Sequence, residues 1–188
     1  MIKPPAVPDL MQRIFIGIPL DPLAQQKIDA FLKPIMASQP DIRWVPRTNR
    51  HLTLAFLGAI PMPVAEQLLL LSEEAYRKER SFKYPFSALK RFPHRAGRII
   101  ALTGQAGRSL NYLHLSTLRL LDWCMIHIDQ EAFRPHITLG RIKKPGQSKV
   151  KFDLPADINI HVTKIVIYKS TLTSRGSVYS CLKEIQLN

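Results

Sequence analysis

The stretch His51-Leu52-Thr53-Leu54 decides how this sequence is interpreted, because nearly the same stretch returns as His136-Ile137-Thr138-Leu139. The two motifs lie in different halves of a chain of 188 residues. Side chains along a strand alternate between two faces, so the His and the Thr of each motif share one face and the aliphatic residues share the other. We therefore predict two strands that bury their aliphatic faces and present both His and both Thr side chains to a cleft.

A third His-x-Thr occurs at His161-Val162-Thr163-Lys164, and its surroundings differ from those of the first two. Its fourth position is charged, whereas the first two motifs end in Leu and are followed closely by Gly58 and Gly140. Single histidines on a protein surface need no special role. We predict that His161 is an exposed strand residue outside any site.

Hydrophobic periodicity around the motifs predicts an alternation of strands and helices. An Asp-Pro pair at 21–22 is typical of a helix start, and Gly58 is expected to end the strand of the first motif. The predicted helices cover 22–37, 63–80 and 109–123, and the predicted strands cover 13–19, 42–45, 51–57, 82–91, 98–103, 136–142, 158–168 and 178–187, with the last two paired. This order favours an α+β fold with mostly antiparallel sheets.

The charge of the chain indicates anionic partners. It contains 27 Lys and Arg against 14 Asp and Glu, a formal net charge of +13, which excludes an acidic disordered chain and favours nucleic acid as partner. Residues 42–65 contain three Arg and no acid, and residues 132–152 contain six Lys and Arg and no acid. Charges of solvated loops would explain this pattern, but a phosphate-binding cleft also explains why acids are missing around both motifs.

Several classes of protein are disfavoured by what the sequence lacks. No acid lies within four residues of His51 or His136, so a metal hydrolase is not favoured and no metal is expected. No Walker or Rossmann pattern is present, so no nucleotide cofactor is expected. Cys124 and Cys181 lack the spacing of metal ligands, and we expect each to be a reduced thiol in the core.

The organisation of the chain indicates one domain. Residues 1–10 contain three prolines and no signal-peptide pattern, so we expect a disordered lead-in followed by a single two-lobed domain over 11–188. No segment is apolar enough to cross a membrane. We expect a cytoplasmic monomer with no membrane partner.

With their flanks, the tandem motifs resemble the 2H phosphoesterase superfamily, which is named for two His-x-Thr-x motifs. The closest likeness is to its bacterial and archaeal RNA 2′,3′-cyclic phosphodiesterase branch, also called 2′-5′ RNA ligase. The resemblance runs from residue 13 to the end of the chain and depends on residues 13–18, 51–58, 135–141 and 162–168. It implies two pseudo-symmetric lobes whose antiparallel sheets line a central cleft, with helices on the outside.

The resemblance also implies roles for five residues. His51 would donate a proton to the leaving 3′-oxygen of a 2′,3′-cyclic phosphate at an RNA end, and His136 would accept a proton from water. Thr53 and Thr138 would bind the non-bridging oxygens, and Arg141 would bind the phosphate. The near symmetry of the motifs leaves the acid and base roles interchangeable on sequence alone. Strict alternation would also place Arg141 on the face opposite His136, unless a bulge turns it, so a solvated charge at the rim of the cleft is the alternative role of Arg141.

Three functions remain open at this stage. The first is hydrolysis of RNA 2′,3′-cyclic phosphate ends to 2′-phosphomonoesters, with possible 2′-5′ ligation. The second is a non-catalytic RNA-binding module that uses the same basic cleft, and the third is a phosphodiesterase for a small cyclic nucleotide. Two groups of side chains are candidates for RNA contacts: the lysines of the basic loop, Lys143, Lys144, Lys149 and Lys151, and four aromatics for which core packing is the expected role, Trp44, Phe56, Phe92 and Phe133.

Overall fold

A computed structural model describes most of the chain. It covers residues 11–128, 132–143, 153–174 and 176–188. The expected lead-in over 1–10 and three lysines of the basic loop, Lys144, Lys149 and Lys151, lie outside the described residues.

The described residues form nine strands and three helices, which confirms the α+β prediction. The elements are β1 (Met11–Pro19), α1 (Pro22–Ser38), β2 (Ile42–Trp44), β3 (His51–Pro61), α2 (Met62–Tyr76), β4 (Phe82–Phe92), β5 (Ile99–Thr103), α3 (Arg108–Trp123), β6 (His136–Ile142), β7 (Asp153–Val162), β8 (Lys164–Thr173) and β9 (Gly176–Gln186). A single 3₁₀ turn at Arg47–Asn49 connects β2 to β3.

Several element boundaries differ from the sequence prediction, and three of the differences bear on the fold. The single strand predicted over 158–168 is wrong, because β7 and β8 are separate strands divided at Thr163. The buried positions change parity there: Val162 is buried and the next buried residue is Ile165, so one straight strand could not bury both sets. Helix α2 ends at Tyr76, earlier than predicted.

Gly58 does not end the strand of the first motif, because β3 continues to Pro61. Its φ of 69° lies in the left-handed region that glycine adopts readily. The register between β1 and β3 shifts at this point, from the Phe15–Phe56 pair to the Ile14–Gly58 pair. Gly58 therefore serves a bulge within the strand and not a turn after it.

The sheet consists of two halves with four strands each, and every strand pairing is antiparallel. Its strand order is β7-β4-β5-β6-β3-β1-β8-β9, with β2 also paired to β6. The first lobe contains β3, β1, β8 and β9, and the second contains β6, β5, β4 and β7, counted outward from their junction. Strands β3 and β6, which carry the two motifs, meet at the Leu52–Ile137 pair. The two predicted lobes are thus present, joined into one sheet at the motif strands.

The helices bury one face each, as their sequence periodicity predicts. Asp21 caps α1 by accepting a hydrogen bond from the Ala24 amide at 2.9 Å, and Pro22 occupies the first turn. Helices α2 and α3 pack together, with the buried Tyr76 hydroxyl donating to Thr117 Oγ1 at 2.9 Å. No helix in the described part of the chain has the length and apolar character to span a membrane.

The two cysteines occupy different environments, and only one fits the prediction. Cys124, at the end of α3, is buried, as expected for a core thiol. Cys181 is exposed because it lies on β9, the edge strand of the first lobe, and the expectation of a core position is wrong there. Both are free thiols.

Candidate active site

The register of β3 against β6 brings the two His-x-Thr motifs together. Leu52 and Ile137 are directly opposite one another, and both side chains are fully buried. One residue further in each direction, the antiparallel register sets His51 opposite Thr138 and Thr53 opposite His136, all on the other face of the sheet. The two histidines therefore occupy diagonal corners of a square, and diagonal neighbours across antiparallel strands lie about 7–8 Å apart. One phosphate fits between imidazoles arranged in this way.

A bulge in β6 places Arg141 on the same face as its motif. Thr138 pairs with Ala101 of β5, but Gly140 pairs with Ile100, so Leu139 is an extra residue in β6. Arg141 then pairs with Ile99, two residues from Ala101 and therefore on the same face. The strict alternation that would turn Arg141 away does not hold. At about 3.3 Å per residue of β5, Arg141 lies about 7 Å beyond Thr138 along the sheet.

Strand β3 has a bulge at the equivalent position, but a different side chain follows it on the motif face. Thr53 pairs with Gly17 of β1 and Ala55 pairs with Ile16, so Leu54 is the extra residue. Phe56, opposite Phe15, consequently lies on the motif face. Its side chain is 63% exposed, so the expectation of core packing is wrong for Phe56. Trp44 and Phe133 do pack against the core.

All five predicted site residues line one pocket of about 540 Å³. The pocket extends from the square of His and Thr side chains toward β2, the 3₁₀ turn and the β8–β9 hairpin. Its described lining contains no acid. The lining residues are Arg43, Trp44, Val45, Pro46, Thr48, Asn49, His51, Thr53, Phe56, Ile99, His136, Thr138, Arg141, Thr173, Gly176, Ser177, Val178 and Tyr179.

A backbone carbonyl two residues before each histidine fixes the tautomer of its ring. His51 Nδ1 lies 2.8 Å from the Asn49 carbonyl oxygen, and His136 Nδ1 lies 2.9 Å from the Arg134 carbonyl oxygen. A carbonyl can only accept, so Nδ1 carries the hydrogen in both rings. Nε2, the other ring nitrogen, can accept a proton when the ring is neutral and donate one when it is charged.

Aromatic rings surround His51 in the first lobe. The ring centroids of Phe15, Tyr179 and Tyr168 lie 4.7, 5.4 and 5.9 Å from that of His51. Burial lowers the pKa of His51 to about 4, the hydrogen bond to the Asn49 carbonyl raises the pKa in part, and the nearby His136 lowers it further. His51 is consequently neutral at pH 7 in the free protein.

Among the described residues, the Phe92 ring stacks on His136. The Phe92 ring lies 4.0 Å from the His136 ring at an angle of 21°, and the Arg134 guanidinium lies over Phe92 at 5.1 Å. Burial lowers the pKa of His136, the Arg134 carbonyl raises it, and the Arg134 charge lowers it. Both reacting imidazoles thus favour the neutral form until an anion binds beside them.

The cations near the motifs are fewer than the sequence indicated. Arg47 and Arg50 both pair with Asp29 of α1, at 3.1 and 2.6 Å, so a distant acid compensates two of the three arginines in the window 42–65. Arg43 and Arg141 remain in the pocket lining. Lys143 donates to the Pro40 carbonyl at 2.8 Å, and it is the described member of the basic loop.

The side chains that enclose His51 could not be identified from the sequence. Phe15, Tyr168 and Tyr179 come from β1, β8 and β9, and no local pattern indicates that these strands surround the first motif. The carbonyls of Asn49 and Arg134 were also missed, because a backbone contact leaves no trace in residue type. His161, in contrast, is exposed on β7, as predicted. Within the described residues, no three His, Cys, Asp or Glu side chains group as metal ligands.

Comparison with solved structures defines the fold as that of a LigT phosphoesterase. Escherichia coli LigT superposes with a TM-score of 0.77 at 24% identity, covering 95% of this chain and 98% of LigT. A protein from Thermus thermophilus superposes with a TM-score of 0.75 at 25% identity, covering 93% of this chain and 97% of its own. A family model described as LigT like phosphoesterase matches residues 18–101.

Relatives of similar sequence are named RNA 2′,3′-cyclic phosphodiesterase. The one from Thermotoga maritima is 28% identical over 182 residues, which cover 93% of this chain and 95% of that protein. The one from Geobacillus stearothermophilus is 29% identical over 163 residues, covering 84% of this chain, and this chain spans about half (52%) of that protein's length. The sequence of this chain is thus similar to the LigT like phosphoesterase family over residues 18–101 and to these relatives over most of its length. The family and the names of its members support a phosphodiesterase.

Proposed function

We propose that this protein hydrolyses the 2′,3′-cyclic phosphate at RNA ends to a 2′-phosphomonoester without a metal ion. The observation that carries the proposal is the square of two histidines and two threonines, with the histidines at opposite corners, in a pocket lined by Arg43 and Arg141. The names of the relatives support the choice of substrate.

In-line displacement at phosphorus needs a base on one side and an acid on the other, and the diagonal imidazoles meet that need. In the proposed step, His136 Nε2 takes a proton from water as its oxygen bonds to phosphorus. The bond from phosphorus to the 3′-oxygen breaks, and His51 Nε2 gives its proton to that oxygen. Each of these proton transfers typically contributes ~10²–10⁴ in rate. Thr53 and Thr138 donate hydroxyl hydrogen bonds to the non-bridging oxygens, where negative charge increases.

The pKa of His51 determines the pH at which His51 is protonated and can act as the acid. With a pKa of about 4, His51 is mostly unprotonated in the free protein at pH 7, and the phosphate anion favours the charged ring once it is bound. The rate constant kcat/KM reports ionisations of the free enzyme. Because the pKa values of both imidazoles are lowered, kcat/KM should be highest at a pH below the ordinary imidazole pKa of about 6.5. Above that optimum, kcat/KM should fall as the pH rises, since the protonated imidazole is lost. An optimum above pH 8 would contradict the assignment of both groups as imidazoles.

The same square supports the related ligation. A 5′-hydroxyl in place of water would lose its proton to His136 and form a 2′-5′ linkage to the opened phosphate. The basic pocket is also compatible with the two alternatives, a non-catalytic RNA-binding module and a phosphodiesterase for a small cyclic nucleotide. The cytoplasmic location and the monomeric state stay predictions of the sequence.

Turnover in the absence of metal tests the proposal directly. A nucleoside 2′,3′-cyclic phosphate is incubated with the protein in excess EDTA, and the product isomer is identified by phosphorus NMR. We expect the 2′-monophosphate, equal rates with and without EDTA, and no loss in His161→Asn, which changes the histidine of the third motif. A strict metal requirement, or a 3′-monophosphate product, would overturn the mechanism. Binding of the substrate without turnover would favour the RNA-binding module.

A further inference from the structure

Two arginines are paired directly across a ladder at the edge of the pocket. In the β2–β6 pairing, Arg43 is opposite Arg141, between the pairs Ile42–Ile142 and Trp44–Gly140. Directly opposite residues of antiparallel strands share a face, and like charges in that position are destabilising. Both side chains line the pocket, and within the described residues neither has an ion pair. The pocket thus holds two adjacent cations and no described acid, which is an arrangement suited to an anion.

The arginine pair lies at one particular end of the square. Strand β2 runs beside β6 where β3 has not yet begun, so Arg43 and Arg141 follow the edge formed by His51 and Thr138. The opposite edge, formed by Thr53 and His136, is followed by Phe56. The end of the pocket beyond His51 therefore carries the arginine pair and is its cationic end, whereas Phe56 lies beyond Thr53 and Arg134 lies over the Phe92 ring that stacks on His136.

The direction of the proposed reaction determines which part of the substrate lies at the cationic end. His51 protonates the 3′-oxygen, which belongs to the ribose, so the ribose and the RNA attached to its 5′ carbon lie on the His51 side. The pocket extends on that side between β2 and the β8–β9 hairpin, where Ser177 and Tyr179 form the far wall. The side-chain Nδ2 of Asn49 donates a hydrogen bond to the Ser177 carbonyl oxygen at 2.8 Å, which connects the β8–β9 hairpin to the 3₁₀ turn.

We infer that Arg43 binds the phosphodiester that precedes the terminal cyclic phosphate, so that the substrate is an RNA end of at least two nucleotides. This inference depends on the proposed function for its direction. A guanidinium presents paired donors to phosphate oxygens, and Arg43 lies beside Arg141 as the second cation beyond the His51–Thr138 edge. The electrostatic repulsion between Arg43 and Arg141 is offset when two successive phosphates of one RNA strand bind beside them.

Two substrates that differ by one phosphodiester test the inference. The first is a nucleoside 2′,3′-cyclic phosphate, and the second is a dinucleotide with the same terminal nucleoside and cyclic phosphate. We expect Arg43→Gln to lower kcat/KM for the dinucleotide by about tenfold or more, as for a charge-assisted hydrogen bond, and to leave the mononucleotide within about twofold. Arg108→Gln, which removes the same charge from an exposed position at the start of α3, should change neither. An equal loss on both substrates, or no loss on the dinucleotide, would overturn the inference.

A binding measurement separates this inference from the proposed reaction. The probes are a nucleoside 2′-phosphate and the matching dinucleotide 2′-phosphate, titrated calorimetrically at several salt concentrations. In Arg43→Gln, the dinucleotide should lose its affinity advantage, and its slope of log K against log salt should shrink by about 0.7, the value for one phosphate of a single strand. If the wild type binds the dinucleotide more tightly through Arg43 but hydrolyses neither cyclic phosphate, the proposed function fails and the inference stands. If it hydrolyses both and Arg43→Gln leaves both affinities unchanged, the inference fails and the function stands.

Discussion

Strands β3 and β6 have similar backbone conformations but carry different side chains after the motif. Each begins with His-x-Thr, each has its ring oriented by a carbonyl two residues earlier, and each has a bulge at the Leu that follows the Thr. Five residues after the histidine, β3 presents Phe56 and β6 presents Arg141. The repeated backbone supplies two equivalent imidazoles, and the side chains that follow distinguish the two ends of the pocket.

The surroundings of the two histidines differ as well. In the described part of the chain, three aromatic rings enclose His51, whereas one, that of Phe92, stacks on His136. Desolvation disfavours the charged imidazole, so the more enclosed ring has the strongly lowered pKa of about 4. A protonated His51 is therefore the stronger acid. Near symmetry of the backbone is compatible with a clear chemical difference between the two groups.

Replacing either histidine should have the largest effect and should separate their roles. We expect His51→Ala and His136→Ala each to reduce kcat by ~10²–10⁴, with the double variant little worse, because the two proton transfers act as a unit. An aryl phosphodiester whose leaving group needs no proton should largely rescue His51→Ala and not His136→Ala. Rescue of His136→Ala instead would reverse the roles. Full activity of either variant on the cyclic phosphate would rule out the two-histidine mechanism.

The side chain that follows each bulge should matter unequally. Arg141→Gln removes a cation beside the reacting phosphate, and we expect kcat/KM to fall by ~10–100-fold for the mononucleotide, the loss of one charge-assisted hydrogen bond. Phe56→Leu keeps an apolar side chain at the equivalent position and should cost less than about tenfold. Steady-state kinetics on one cyclic nucleotide compares the two variants. A larger loss in Phe56→Leu would contradict the expectation that Arg141 binds the reacting phosphate.

The residues inside the two bulges provide a comparison of packing. A Cβ on Gly140 would lie 2.6 Å from Ile42 Cγ2 and 3.2 Å from the Trp44 ring, whereas its counterpart Ala55 already carries a buried Cβ. Gly140→Ala should destabilise the protein by about 1–3 kcal/mol through overpacking against β2. Ala55→Gly should cost about 0.5–1 kcal/mol through backbone entropy. Urea unfolding measures both, and a Gly140→Ala variant as stable as the wild type would show that β2 moves without cost.

The last comparison concerns stability against pH. The pKa of His51 is lower in the folded protein than its ordinary value, so the unfolded chain binds the proton more readily. Its contribution to stability is complete above pH 6.5 and is lost as the pH falls toward 4. The Tm should therefore drop over this range, and His51→Gln, which cannot be protonated, should show a shallower drop. A Tm that is constant or rises on acidification in the wild type would contradict the lowered pKa.

The sequence predicted the motif strands correctly because their evidence is local. Alternation by two and the repeat of His-x-Thr require no knowledge of which strands pair. The side of Arg141 could not be predicted, since it depends on a bulge that is defined only by the register against β5. The compensation of Arg47 by Asp29 was missed for a similar reason, because the acid comes from α1. Residues joined by long-range pairing were the ones that sequence periodicity could not place.

The junction of the two lobes has a mechanical consequence. Leu52 and Ile137 form the registered pair between β3 and β6, and the four reactive side chains stand on either side of this seam. A phosphate held by both His-Thr pairs is therefore a tether between the lobes, and its binding is thermodynamically coupled to any widening of the seam. In the proposed mechanism, a wider seam would move His51 away from His136, so a bound phosphate and a closed seam would stabilise one another.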